Sequence, residues 1–277
     1  MPRDEILYDI HEHIATITLN RPEKLNAWTL KMEQEVRAAM QEARYDESVR
    51  VIVLTGAGRG FCAGADISVL DAITKNGSSV WHSGKASSSA AAHSKDAVRQ
   101  DFLGRYSYLL AIPKPIIAAI NGPAVGLGLV ISLYCDLRFA SSSARFGTVF
   151  SRRGLIAEYG LAWLLEHLVG HANALDLLFS GRMIDADEAM RMGLVNKVFP
   201  GETFEEGINE YARDLVANVS PRSLRVLKRQ VYEAMFQTLA QATDLSEQEM
   251  LRSFQSNDFK EGVAHFIERR PPSFTGK

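Results

Sequence analysis

The arrangement of apolar and polar positions divides this chain into strands followed by helices. Residues Ile6–His11 and Ile14–Leu19 read as two short strands; in the second, Ile14, Thr16 and Thr18 alternate with Ala15, Ile17 and Leu19. Residues 32–43 place apolar side chains at helical intervals. Residues 51–55 and 116–121 are near-continuous apolar runs, as expected for strands covered on both faces. Strands alternating with helices imply an α/β fold. From about Asp185 the pattern turns helical. Asp185 with Glu188 suggests a capping box, and Ser220-Pro221 suits the cap and first position of a helix running towards Gln237. Asp258 is placed to cap the last helix, which runs through Phe266. Residues 75–95 break the pattern. They are rich in Ser, Gly and Ala, and so long a loop in a compact domain is commonly functional or disordered. We read it either as a flap near the site or as a solvated insertion.

Both apolar runs lead straight into glycine-rich turns. After residue 55 come Gly56-Ala57-Gly58-Arg59-Gly60-Phe61-Cys62-Ala63-Gly64-Ala65-Asp66-Ile67, and after Asn121 come Gly122-Pro123-Ala124-Val125-Gly126-Leu127-Gly128. Glycine allows close backbone approach and turns that a Cβ forbids. Two such turns at the ends of neighbouring strands can aim two N–H groups at one point, the geometry of an oxyanion hole. A buried apolar helix is expected from residue 129 to 133, with the partial positive charge of its N-terminus near the second turn. Neither turn has the spacing of a nucleotide loop.

Composition narrows the function classes. The chain has 277 residues, 46% hydrophobic and 23% charged, with a net charge of -2. That is an ordinary globular composition, without the basic excess of a nucleic-acid surface. No apolar run is long enough to span a membrane, and the N-terminus lacks a signal-like apolar stretch. Cys62 and Cys135 suggest two reduced thiols rather than a disulfide or metal site. A cytoplasmic protein without a bound metal fits these features.

Arg21-Pro22-Glu23-Lys24-Leu25-Asn26-Ala27, the Phe61–Ile67 segment, Pro113-Lys114-Pro115 with the run and turn that follow, Cys135-Asp136-Leu137-Arg138-Phe139-Ala140, and Phe266-Ile267-Glu268-Arg269-Arg270-Pro271-Pro272-Ser273-Phe274 together resemble the crotonase superfamily. The motifs keep the family's order along nearly the whole chain, except for residues 74–100. The resemblance implies a spiral of ββα repeats over residues 1–200 and a C-terminal helical trimerisation region over 201–277, with a helical lid over one monomer as the alternative. It also implies a homotrimer or dimer of trimers acting on an acyl-CoA thioester, with coenzyme A entering as part of the substrate and no permanently bound cofactor.

The same resemblance assigns residues. The oxyanion donors would be the backbone N–H groups of Ala63 and Leu127. Coenzyme A would lie along Lys24, Leu25, Ala63, Ala65, Asp66 and Ile67, and Phe266 and Arg269 would be offered by a neighbouring subunit. The two glutamates of the family's hydratases correspond here to Val130 and Phe150, which cannot move a proton. Glu158 stands where other branches of the family keep a single carboxylate, and a single carboxylate suits isomerisation. Apolar neighbours would raise its pKa towards the useful range; the alternative for Glu158 is an acid favoured by the start of the following helix. Tyr159 and Trp163, with Val130 and Phe150, are candidate walls of an acyl pocket, although core packing would also explain Tyr159 and Trp163. His82 and His93 are weaker candidates, and Arg152 and Arg153 suit salt bridges better than phosphate. Enoyl-CoA isomerisation is the expected reaction, with hydration as the alternative and a CoA-binding pseudoenzyme as the rival from another class.

Overall fold

In the computed structural model, residues 3–76 and 99–277 are described. Most of the 75–95 segment, including His82 and His93, lies outside them. Strands β1 (Ile6–His11) and β2 (Ile14–Leu19) form an antiparallel hairpin. Its two turn residues, Glu12 and His13, take left-handed φ values of 47° and 67°, the turn whose twist matches that of the flanking strands. Helix α1 (Leu30–Tyr45) starts at Thr29, whose hydroxyl accepts the Met32 N–H. It buries Met32, Val36, Ala39, Met40 and Ala43 along one face.

Strand β3 (Val51–Gly56) follows, then α2 (Ile67–Asn76). Next come β4 (Ile116–Ile120), the short β5 (Ala124–Val125) and α3 (Leu127–Leu133). The chain continues through β6 (Leu137–Ser141), β7 (Arg145–Gly147), α4 (Leu161–Val169) and α5 (His171–Ser180). Then come β8 (Met183–Asp185), α6 (Ala186–Arg191) and β9 (Lys197–Phe199). One sheet has the order β1-β2-β3-β4-β6-β9, parallel from β2 onward, and a second has the order β5-β7-β8.

Both faces of the larger sheet's central strands β3 and β4 are buried, which explains their unbroken apolar runs. On one face Ile52, Leu54, Ile116, Ala118 and Ile120 join the main core. On the other, Val51, Val53, Ile117, Ala119 and Phe139 pack under Phe204, Ile208, Ala212 and Val216 of α7 (Phe204–Asn218). Helix α7, at the start of the C-terminal helical region, is therefore a layer of the core.

The remaining helices are α8 (Pro221–Ala234), α9 (Leu239–Phe254) and α10 (Asn257–Glu268). Ser220 caps α8 by accepting the Ser223 N–H, and Asp185 caps α6 through the Glu188 N–H. The Glu188 carboxylate turns instead to Arg182 at 2.6 Å. Ser256, not Asp258, caps α10. Asp258 is buried and accepts the Ser220 hydroxyl and the N–H groups of Thr275 and Gly276, clamping the C-terminus onto α8. Lys228 and Tyr232 of α8 both reach Asp136, at 2.8 and 2.9 Å, and anchor the C-terminal helices to the core. Among the described residues no helix is long and apolar enough to cross a membrane.

Candidate active site

The two glycine turns meet because β3 and β4 are neighbours. They are joined by a parallel bridge, with the Cys62 N–H donating to Pro123 O and the Val125 N–H to Cys62 O. Gly128 lets α3 approach: a Cβ there would lie 2.2 Å from Cys62 O. Gly64, at φ +103°, turns the first segment beside the start of α3; its Cβ position would be 3.8 Å from the Leu127 nitrogen. The Asn26 amide donates to Ala57 O and Gly60 O and holds the 21–27 turn against the first loop.

This packing decides which N–H groups are free. The N–H of Ala63, expected to face a thioester, donates instead to Leu25 O at 3.0 Å. Trp28 pairs with the next stretch: its N–H donates to Gly64 O, and its carbonyl accepts from Asp66. In such a bridge the intervening residue, Ala65, turns its own N–H to the opposite side. Among the described residues the N–H groups of Ala65 and Leu127 have no acceptor. That of Leu127 belongs to the first turn of α3, where no intrahelical partner exists.

Asp66 is buried beside Arg21 at 2.8 Å. Burial alone would raise its carboxyl, but hydrogen bonds from Ser68 and Arg21 hold it at about 2. Lys24 and Ile67 are exposed, Leu25 and Ala65 are partly buried, and Leu25 adopts a left-handed φ of 49°.

Glu158 lies in a tight turn before α4. Its carbonyl accepts the Leu161 N–H, and the next two residues, Tyr159 and Gly160, have φ values of 52° and 72°. A left-handed tyrosine costs on the order of 1–2 kcal/mol. The turn is held by the Tyr134 hydroxyl, which donates to Tyr159 O at 2.6 Å, and by the Tyr106 ring, edge-on to Tyr159 at 5.0 Å. Tyr134 caps the end of α3 whose beginning carries Leu127. Helix α3, about 10 Å long at seven residues, thus links the two N–H groups to the Glu158 turn. A row of rings makes a second link, since Trp28 meets Tyr106 at 6.2 Å.

The Glu158 carboxyl is raised by burial, with the Arg105 cation opposing the shift. An acid stabilised by the α4 dipole would shift the other way, so burial governs this site. Arg105 is a residue that sequence reasoning missed. It grips the buried Glu33 through two bonds of 2.7 and 2.6 Å, and the Tyr106 hydroxyl shares that carboxylate at 2.9 Å. Its guanidinium stands 5.6 Å from the centre of the Tyr159 ring. Seventy-two positions separate Arg105 from Glu33, and no local pattern connects them.

Val130 and Phe150, at 0% and 6% exposure, are buried apolar side chains. Trp163 stacks on Phe236 at 5.3 Å and meets His167 at 4.3 Å, contacts that a pocket wall and a core residue can both make. Arg152 donates to Ser180 O. Phe266, 80% exposed, and Arg269 at the end of α10 face outward on the single chain. Cys62 and Cys135 are buried and free. Among the described residues no cluster of three or more metal-ligating side chains occurs.

The family model for enoyl-CoA hydratase/isomerase matches residues 9–277. The chain is 34% identical over 272 residues to 1,2-epoxyphenylacetyl-CoA isomerase of Escherichia coli K12, covering 98% of each protein. Identity and coverage are the same with a Rhodobacter capsulatus protein named "Probable enoyl-CoA hydratase". The crystal structure of an enoyl-CoA hydratase from Bacillus anthracis superposes with a TM-score of 0.87 at 30% identity, over 99% of this chain and 100% of that one. An enoyl-CoA hydratase from Polaromonas sp. JS666 gives 0.86 at 28% identity, over 97% and 99%. The described residues thus form a crotonase fold with a C-terminal helical region. Two glycine turns stitched at one point, a half-buried glutamate and similarity along almost the entire length lead to one conclusion: this chain is a member of the enoyl-CoA hydratase/isomerase family, whose enzymes process acyl-CoA thioesters.

Proposed function

We propose that this enzyme moves the double bond of an enoyl-CoA, using Glu158 as its single proton-transferring carboxylate. The Ala65 and Leu127 N–H groups hold the thioester oxygen as an enolate. Ala65 takes the part expected of Ala63, whose N–H is engaged by Leu25 O. Glu158 removes a proton from the carbon next to the thioester, the electrons delocalise onto the oxygen, and the same carboxyl returns a proton two carbons further along. Donors aimed at an oxyanion contribute about 3–4 kcal/mol each when judged by removal. The carrying observation is that Val130 and Phe150 are buried and apolar while Glu158 is raised by burial. One proton carrier shuttles between two carbons, whereas the two-glutamate hydration route needs a second.

Coenzyme A would run along Lys24, Leu25, Ala63, Ala65, Asp66 and Ile67, with Tyr159, Trp163, Phe150 and Val130 around the acyl end. The outward-facing Phe266 and Arg269 suit the adenine and phosphates of a neighbouring subunit's substrate, in a trimer or dimer of trimers assembled through residues 201–277. The buried free thiols of Cys62 and Cys135 suit a reducing, cytoplasmic setting.

Glu158→Gln tests the reading. Turnover of a 3-enoyl-CoA should fall by at least ~10²-fold, with CoA-thioester affinity retained. Full turnover in the variant would refute the assignment, and absence of turnover in the unmutated protein would favour a CoA-binding pseudoenzyme.

A further inference from the structure

Helices α8 and α9 meet residues 99–113 around a cavity of about 340 Å³. Its floor is apolar and buried: Phe102, Leu110 and Ile112 are 6%, 5% and 0% exposed. Among the described residues its walls carry seven basic side chains against two carboxylates, Glu233 and Glu249, while Asp101 and Asp136 from outside the lining pair with Arg99 at 2.9 Å and Lys228 at 2.8 Å. Glu249 is already surrounded, with Arg222 at 3.5 Å, Arg229 at 2.9 Å and Arg252 at 2.5 Å. Among the described residues Glu233 reaches only Arg229, at 3.8 Å.

Positive charge is therefore left over. Among the described residues Arg44 and Arg225 have no carboxylate partner. The Nε of Arg229 makes no hydrogen bond among the described residues but lies 3.8 Å from the Glu233 carboxylate, so Arg229 is spoken for. Like charges crowded into a concave, partly apolar space are costly unless an anion joins them. Guanidinium forks match a carboxylate in geometry and charge.

We propose that this cavity binds a small amphiphilic carboxylate, with its chain against Phe102, Leu110 and Ile112 and its head among the arginines. The cavity's described lining includes neither Glu158 nor Ala65 nor Leu127, so binding there does not depend on the reaction assigned to them. Neither half of the recognition suffices alone: the floor offers no partner to a polar head, and the arginines offer nothing to a neutral chain.

Titration calorimetry of the assembled protein tests this, with octanoate as the probe and octanol and inorganic phosphate as controls. Octanoate should bind saturably, once per chain, and more weakly as salt rises. Octanol and phosphate should each bind at least tenfold more weakly. Arg44→Gln with Arg225→Gln, at residues outside the catalytic machinery, should weaken octanoate by about tenfold or more while leaving enoyl-CoA turnover unchanged. Ala111→Phe should block the cavity by filling it, with the charges intact. No octanoate binding, octanol binding as tight as octanoate, or octanoate affinity unaltered by the paired arginine substitutions would each overturn the proposal. The last result would place any bound octanoate elsewhere, the acyl pocket included.

Discussion

At the residue scale, Glu158 and Arg105 oppose each other. Burial raises the carboxyl and the nearby cation pulls it down. The base form must be deprotonated, so kcat/KM should rise with pH along a limb set by Glu158 in the free enzyme. Arg105→Gln removes the opposing cation and should move that limb to higher pH; a limb that stays put or moves down would contradict the assignment. The substitution also strands the buried Glu33, at a stability cost of about 3–5 kcal/mol, so melting curves should accompany the pH profile and Arg105→Lys should rescue part of it. The proposed oxyanion donors invite a backbone test. Leu127 is the first residue of its helix, a position where proline is tolerated. Leu127→Pro should therefore lower kcat by about 10²–10³-fold by deleting one N–H. Unchanged kcat in a folded variant would remove Leu127 from the mechanism. That the Ala63 N–H is taken by Leu25 O while the Ala65 N–H has no acceptor among the described residues was not legible in the sequence. It depends on the left-handed turn at Gly64 and on the carbonyl of Leu25, nearly forty positions away.

At the element scale, the strands and helices read from local pattern are present in the structure, though two of the expected caps differ. The strands β1 and β2 and helix α1 follow from side-chain patterning, and β3 and β4 from near-continuous apolar runs, because burial on one face or on two imposes each pattern. The glycine turns were legible for a similar reason: backbone approach as close as that of Gly128 to Cys62 leaves no alternative residue. Contacts between distant elements were not legible. Asp258 looked like a helix cap but serves the C-terminus, Trp163 stacks on Phe236, and α7 covers the second face of the sheet. That last contact has a measurable consequence. Phe204 is 5% exposed over Phe139 and its neighbours, and Phe204→Ala should cost about 3–4 kcal/mol through lost burial and the cavity left behind. A loss below ~1 kcal/mol in denaturant unfolding would mean that α7 is a peripheral attachment rather than a core layer.

At the scale of the whole molecule, the C-terminal helices leave much apolar surface uncovered. Leu239, Leu251, Phe266 and Ile267 are 84%, 60%, 80% and 72% exposed. Exposed apolar area of this extent marks an interaction surface, and the proposed trimer would cover it. Light scattering with size-exclusion chromatography should give three or six chains. Phe266→Asp with Ile267→Asp should shift the population towards monomer; a monomeric unmutated protein would contradict the assembly. The central claim, proton transfer by one carboxylate on a thioester enolate, is tested most directly by incubating the enzyme with a 3-enoyl-CoA in D2O and following the product by mass spectrometry. The account predicts a 2-enoyl-CoA with no added water and with deuterium at the newly protonated carbon to the extent that Glu158 exchanges with solvent. A product that has gained one molecule of water would contradict it, showing that hydration proceeds here without the paired glutamates.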